Sequence, residues 1–231
     1  MYGKVKLTKR QIKEDKFTAF MLNSKQQVEE NWQYLAIAVI VVILGVVGSV
    51  YYFDSVEEAS RQAAANLSKG NLEFRGGSSP EAILTFMGII NNFGGTKSAE
   101  QATFMLGKVN LQTRNYPESI RYFEMYLQKY QKNLLNRASS YTGLGTALEN
   151  QGNFQEAAEA FEKGTMAMPD SPLQQSLRIG AMRNYLKVDS VEKARPHFEY
   201  ITERFEGSET ANRAARLFYE KARASYKDTD R

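Results

Sequence analysis

A single apolar run near the N-terminus constrains this chain more than any other feature. The twenty residues Tyr34–Phe53 include no Asp, Glu, Lys, Arg, His, Asn or Gln, and eleven of them are Leu, Ile or Val. A helix of this length covers about 30 Å, the thickness of the hydrocarbon core of a bilayer. Insertion of the aliphatic residues is favourable by about 3 to 6 kcal/mol. Aromatic residues flank both ends, as at membrane interfaces. The run predicts a transmembrane helix over residues 32–53.

A cleaved signal peptide explains this run less well. About thirty mostly polar residues precede it, it exceeds the usual apolar length of 7–15 residues, and no small-x-small cleavage site follows. A buried helix of a soluble protein rarely stays apolar on every face over this length. The first thirty residues carry seven Lys or Arg and four acidic residues. The positive-inside rule therefore predicts a cytoplasmic arm, residues 1–31, and an external domain, residues 54–231.

The basic arm contains a partly helical pattern in which Ile12, Ala19, Phe20 and Leu22 form one apolar side. One interpretation is an amphipathic helix that lies on the inner leaflet and contacts its lipid head groups. The other interpretations are a solubilising arm that sets the topology and a docking segment for a membrane or cytoplasmic partner. The arm supplies most of the formal net charge of +4, so the basic balance does not indicate nucleic-acid binding.

An internal repeat organises residues 54–231. A small residue and a Phe four positions later recur with Phe-to-Phe spacings of 37, 38 and 37, in the pairs Ala82 and Phe86, Ser119 and Phe123, Ala157 and Phe161, and Ala194 and Phe198. Turn residues precede each pair, and Pro80 and Pro117 stand where the first turn of a helix tolerates proline. Hairpin turn pairs and period-two alternation, the signals of strands, are absent from the sequence. The pattern predicts an array of helical hairpins.

The third copy carries the clearest pattern, with helix–turn–helix positions at Tyr141, Leu144, Gly145, Leu148, Phe154, Ala157, Phe161 and Pro169. These positions resemble the tetratricopeptide repeat. The resemblance implies an all-α fold: one N-terminal transmembrane helix, an α-solenoid of about four hairpins and a C-terminal capping helix. The expected repeats are residues 60–95, 97–132, 135–170 and 173–206, and the cap is residues 208–227.

Three details of the array depend on the three-dimensional structure. The first copy suggests an inserted loop, Arg75–Ser78. The fourth copy can be aligned on either Gly180 or Met182. Pro196 falls inside the second helix of the fourth copy and is expected to distort its first turns.

The sequence contains no recognisable catalytic or cofactor-binding motif. It has no Cys and one His, His197, and a lone His in a helical hairpin is more often packed or solvated than a ligand. Nucleotide-binding glycine loops and hydrolase or zinc-protease motifs do not occur. We therefore expect no enzyme activity, no cofactor, no metal, no small-molecule substrate and no nucleic-acid partner.

The expected function is protein binding along the concave side of the array, which the first helix of each hairpin lines. Its residues are apolar with basic rims, which suits an extended or helical peptide or the apolar parts of an unfolded client. The basic members Arg75, Lys108, Arg183 and Lys187 either favour an acidic partner or keep an exposed surface soluble. The predicted residues are Leu67, Asn71, Phe74, Arg75, Phe104, Lys108, Leu111, Gln112, Thr146, Asn150, Arg183 and Lys187, with Thr142, Glu149, Ile179 and Leu186 on the same wall.

Within the apolar run, Gly45 and Ser49 form a small-x-x-x-small pair. Two small residues one turn apart allow a second helix to approach closely. They are therefore candidates for packing in the membrane.

A short basic arm, one membrane anchor and a tetratricopeptide array together resemble the YfgM-type family of bacterial inner-membrane proteins. Val28–Asn31, the segment that leads into the apolar run, and the degenerate hairpins carry this resemblance. It implies a periplasmic array that works beside the Sec translocon with a membrane-anchored, isomerase-like chaperone and receives exported chains. The alternative is a structural or assembly subunit of another inner-membrane complex, whether secretory, respiratory or photosynthetic.

Overall fold

The computed structural model describes the backbone of residues 9–229 and the side chains of Met21, residues 32–34 and residues 36–223. The predicted apolar side of the N-terminal arm, with Ile12, Ala19, Phe20 and Leu22, lies outside the described side chains. The described backbone forms nine α-helices and no strand. They are α1 (Lys9–Arg75), α2 (Ser79–Asn92), α3 (Lys97–Gln112), α4 (Tyr116–Lys129), α5 (Leu134–Asn150), α6 (Phe154–Ala167), α7 (Gln174–Lys187), α8 (Val191–Arg204) and α9 (Glu209–Thr229).

The chain divides into two compact units, Met1–Glu58 and Ala59–Arg231. In the first unit, the apolar side chains of residues 37–53 are exposed, from 54% at Ile43 to 78% at Tyr51. One stretch of α1, within Trp32–Arg75, is long and apolar enough to cross a membrane, and none of the residues in this apolar stretch is buried. An exposed apolar surface of this extent is unusual for a protein in water.

In the second unit, each hairpin is closed by the same turn. One residue in each turn has a positive φ, and these residues recur at spacings of 37, 38 and 37: Gly77, Arg114, Gly152 and Asp189. The next residue donates its backbone N–H to the carbonyl five positions earlier, as in Ser78 to Glu73 (2.9 Å) and Asn115 to Asn110 (2.8 Å). This bond is one of the pair that defines a Schellman motif, which ends a helix by satisfying its last carbonyls. The backbone therefore repeats at the period of the sequence.

In the first three hairpins, a phenylalanine of the second helix packs against a glycine of the first helix. The ring of Phe123 lies against Gly107, where a Cβ would stand 2.7 Å from its Cδ1 atom, and also against Gly143 of the next hairpin. Phe161 contacts Gly145 and Gly180 in the same way. Because both rings are almost fully buried, each seals its own hairpin and the junction with the next.

The last junction uses a different contact. The ring of Phe198 stacks on Phe218 of α9, with centroids 4.3 Å apart and planes inclined by 3°. The helix α9 therefore covers the fourth hairpin. The all-α fold, with four hairpins and a capping helix, is as predicted; the division into residues 1–31, 32–53 and 54–231 stays a prediction.

The structure corrects two sequence interpretations and settles a third. Arg75–Ser78 is not an insertion, because Arg75 ends α1 and the three residues that follow match the three-residue turns of the other hairpins. The helix α8 is continuous through Pro196, although this proline has no N–H to donate to the carbonyl of Glu192. Met182 sets the register of the fourth copy. It lies eight residues before Ser190, the N–H donor in its turn, just as Gly107 lies eight residues before Asn115.

We expect Gly107→Ala to lower the free energy of unfolding by about 1–3 kcal/mol, because its methyl group would displace the buried ring of Phe123. Gly88→Ala is the matched control. It also lies inside a helix, but a Cβ there has no neighbour within 4 Å. This change should raise stability by about 0.5–1 kcal/mol through helix propensity alone. Denaturant unfolding of both variants checks the prediction, and equal effects of the two changes would contradict it.

Candidate protein-binding surface

The first helices of the hairpins form the inner side of the array. Among the described residues of α2–α9, α3 contacts α5, α5 contacts α7, and α7 contacts α9. By contrast, α2, α4, α6 and α8 make no close backbone contact with one another. Helices that approach more closely lie on the inside of the curve of a stacked array. We call the exposed faces of α3, α5, α7 and α9, with the last turns of α1, the inner wall.

The twelve predicted binding residues all lie on first helices of hairpins. Five are exposed: Arg75, Lys108, Gln112, Asn150 and Lys187. Six are partly buried: Leu67, Asn71, Phe74, Leu111, Thr146 and Arg183. The twelfth, Phe104, is buried. Their role in binding stays a prediction.

Phe104 belongs to the core rather than to an open surface. Its ring is 8% exposed and packs edge-to-face against Phe123 and Tyr126, with centroids 6.2 and 5.7 Å apart. The Lys108 ammonium lies 5.7 Å from the centre of the same ring, and this contact holds the Lys108 side chain near Phe104. A ligand on α3 would therefore meet Lys108, Leu111 and Gln112.

Two of the four basic candidates are paired with one carboxylate. Arg183 donates from Nε and Nη2 to the two Glu149 oxygens, at 2.8 and 2.5 Å, and Lys187 donates to Oε1 at 2.9 Å. Burial raises the pKa of Glu149, but the hydrogen bonds from Arg183 and Lys187 outweigh burial and lower the pKa to about 2. Glu149 is therefore ionised at neutral pH, and the cluster joins α5 to α7 with a net charge of +1.

The hydroxyl and amide side chains on α5 are also engaged within the array. The Thr146 hydroxyl donates to the carbonyl of Thr142 at 2.8 Å. The Asn150 amide donates to the carbonyl of Thr146 at 2.8 Å and accepts from the Tyr116 hydroxyl at 3.2 Å. The bond from Tyr116 links the third hairpin to α4, so Asn150 is partly used in stacking.

A groove of about 550 Å³ lies on the inner wall between α7 and α9. Leu186 and Leu217 form its apolar part, and charged side chains surround them: Arg183, Lys187, Glu220 and Lys221. Lys221 also pairs with Asp189 at 2.7 Å. The sequence analysis missed Leu217, Glu220 and Lys221 because it treated α9 only as a cap. The signal that would have found them is the amphipathic pattern of α9, whose non-core side continues the wall.

The single histidine is packed inside the fourth hairpin. His197 is 2% exposed, its ring stacks on Tyr185 at 6.0 Å, and its Nε2 lies 3.7 Å from a Glu162 oxygen. The Tyr185 hydroxyl donates to the same carboxylate at 2.6 Å. In the described part of the chain, no group of three or more acidic or His side chains is placed to hold a metal ion.

We expect Glu149→Gln to lower the free energy of unfolding by about 1–3 kcal/mol at pH 7, because two cations lose a charged acceptor. The pKa of Glu149 is about 2 in the folded chain, against about 4.3 for an ordinary Glu. Its contribution is therefore complete above about pH 5 and is lost as the pH falls toward 2. Denaturant unfolding across this range should show the difference from wild type shrinking. The control is Glu124→Gln on the exposed side of α4; an equal loss of stability there would contradict the prediction.

Burial lowers the pKa of His197, although nearby Glu162 acts in the opposite direction. Its pKa in the folded chain is therefore below the unfolded value of about 6.5, so the unfolded chain binds more protons as the pH falls. Between pH 7.5 and 5.5, the wild-type chain should lose more stability than the His197→Phe variant, which keeps a stacked aromatic ring. Thermal unfolding of both chains at each pH measures this, and equal slopes would refute it.

Comparison with known proteins agrees with this architecture. Solved structures with a similar fold include a tetratricopeptide repeat protein from Parabacteroides merdae (TM-score 0.61, 14% identity, 72% of this chain and 62% of that one). A kinesin light chain from Podosopora anserina with nearly identical tetratricopeptide-like repeats has a TM-score of 0.55, 15% identity and coverage of 74% and 90%. MamA AMB-1 has a TM-score of 0.52, 19% identity and coverage of 63% and 80%.

At these identities the similarity shows the fold alone. No curated protein matches the chain. Residues 25–142 match the tetratricopeptide repeat-like domain, and this segment is just over half of the sequence. The chain belongs to the tetratricopeptide repeat-like domain family.

Proposed function

We infer that this protein is a membrane-anchored, non-catalytic binding module that acts as a chaperone-like adaptor at the Sec translocon. The observation that carries the proposal is the combination of one helix apolar enough to span a bilayer with an array of tetratricopeptide-like hairpins. In the proposed topology, residues 32–53 cross the bacterial inner membrane, residues 1–31 are cytoplasmic and residues 54–231 are periplasmic. The basic arm supports this orientation.

The inner wall supports the binding of polypeptides rather than of small molecules. Its groove between α7 and α9 is open, and its apolar centre at Leu186 and Leu217 has charged borders of both signs. Such a surface suits a peptide segment with an apolar side chain and mixed polar flanks. Exported chains and the soluble parts of translocon or chaperone subunits offer segments of this kind.

The charge pattern limits which part of the wall would attract an acidic partner. Glu149 pairs with Arg183 and Lys187, so the remaining basic candidates are Arg75 and Lys108 at the other end of the wall. We therefore assign any preference for acidic segments to the α1–α3 end and apolar contact to the α7–α9 groove.

A second helix in the membrane is the proposed partner of Gly45 and Ser49. Apart from the backbone of its own helix, no described atom lies within 4 Å of a Cβ built at Gly45, and the Ser49 hydroxyl donates to the carbonyl of Val46 at 2.8 Å. Both residues are exposed and small, which permits close approach of a partner helix.

In-cell photocrosslinking tests the proposed function. A photoreactive amino acid at Gln112 or Leu217 on the inner wall should capture translocon subunits, a periplasmic chaperone or a mixture of exported proteins. The same amino acid at Glu124, exposed on α4 away from the wall, is the matched control. Mass spectrometry identifies the adducts. A single stoichiometric partner from a different complex would favour the structural-subunit alternative, and equal capture at Glu124 would refute wall-specific binding.

The topology is checked in the same cells. Proteinase K added to spheroplasts should remove a C-terminal epitope tag and leave an N-terminal tag protected. Protection of the C-terminal tag would overturn the proposed orientation.

A further inference from the structure

The first hairpin presents a face that is covered in every later hairpin. Ala65, Ser68 and Leu72 are exposed on α1, and Leu72 is 69% exposed. The residues one repeat later on α3 are Ala102, Met105 and Val109, and all three are buried. The corresponding residues of the third and fourth hairpins are also buried: Ser140, Gly143 and Ala147, and Leu177, Gly180 and Asn184. We call the surface formed by Ala65, Ser68 and Leu72 the leading face.

The later hairpins show what kind of element covers such a face. In each case it is the second helix of the preceding hairpin, and in the third and fourth hairpins this helix inserts a bulky aromatic side chain. Phe123 of α4 lies against Gly143, and Phe161 of α6 lies against Gly180, where a Cβ would be 2.7 Å from its Cδ1 atom. The natural cover of this surface is therefore an amphipathic helix with a phenylalanine on its contact side.

Charge indicates the chemistry of a helix that would cover the leading face. The segment Ala59–Arg75 contains three basic residues, Arg61, Lys69 and Arg75, and one acid, Glu73. With three basic residues and one acid, this segment has a net charge of +2, which is complementary to an acidic helix against the leading face.

An exposed apolar side chain of α2 lies near this surface. Leu84 is 69% exposed. In the second and third hairpins the same position holds a charged residue, Arg121 or Glu159. The Thr85 hydroxyl donates to a Glu73 oxygen at 2.7 Å, and Leu84 and Leu72 directly precede these two residues. Both leucines therefore lie at the same level of the hairpin.

We propose that the leading face and the neighbouring Leu84 bind an acidic amphipathic helix of a partner protein, which stacks on the array as an additional second helix. The described part of the chain has no spare helix for this role. Each of α2, α4, α6 and α8 already packs against the helix that follows it, and α9 packs on α7 and α8. This binding surface is separate from the groove between α7 and α9.

The test uses the full chain in detergent micelles and a fluorescent, stapled peptide with the α6 sequence Phe154–Ala167. The staple is needed because an isolated helix of this length is only marginally stable in water. We expect binding that weakens by about tenfold or more, equivalent to about 1.4 kcal/mol, with Leu72→Glu or Leu84→Glu. Leu134→Glu, at a 48% exposed leucine of α5, should leave the affinity unchanged. A peptide carrying Phe161→Ala should bind more weakly. Fluorescence anisotropy provides the affinities.

A photoreactive residue at position 68 locates the bound peptide. We expect it to crosslink the peptide, whereas the same residue at position 134 should not. Absence of binding would overturn the proposal. Affinities that do not change with Leu72→Glu and Leu84→Glu would also overturn it, because the peptide would then be exchanging with α6 elsewhere in the array. A crosslink from position 68 to a second copy of the chain would also overturn it. Circular dichroism confirms that each variant is folded.

Discussion

The contact between an inserted phenylalanine and a glycine governs the second unit. Phe123 and Phe161 each lie against a glycine of their own hairpin and a glycine of the next. One ring therefore fixes the crossing within a hairpin and the distance to its neighbour. Because each hairpin packs mainly on adjacent hairpins, the stability of such an array is close to a sum of local terms. Phe198, which has Phe218 as its partner, applies the same principle with a different residue at the end of the array.

Much of the fold could be predicted because it depends on local rules repeated in phase. Phe and small residues at a period near 37 specified the hairpins, and an uncharged run of membrane length specified the apolar helix. Errors arose where a single copy was ambiguous. The Arg75–Ser78 segment looked like an insertion because its two glycines resemble loop residues, yet Gly77 occupies the left-handed turn position that Arg114 fills in the next hairpin.

The candidate site was less predictable because it depends on neighbours far apart in sequence. Sequence analysis placed Glu149, Arg183 and Lys187 on one wall but did not pair them, since pairing depends on the stagger between α5 and α7. Phe104 was expected on the surface, but its ring packs against Phe123 and Tyr126, whose positions depend on how α4 packs on α3. The residues of α9 in the groove were missed because that helix was treated only as a cap, although its non-core side continues the wall. Charge pairing thus divides the wall into a basic end and a balanced apolar end.

The hairpin turns share one backbone conformation although their side chains differ. A left-handed residue is required at one position of each turn, yet two of the four are Arg114 and Asp189 rather than glycine. A non-glycine residue there costs roughly 1–2 kcal/mol, which the Schellman bonds and the packing of the flanking helices offset. The array consequently has a series of sites, one per repeat along one edge, where evolution can change the chemical character of the edge without changing the path of the main chain.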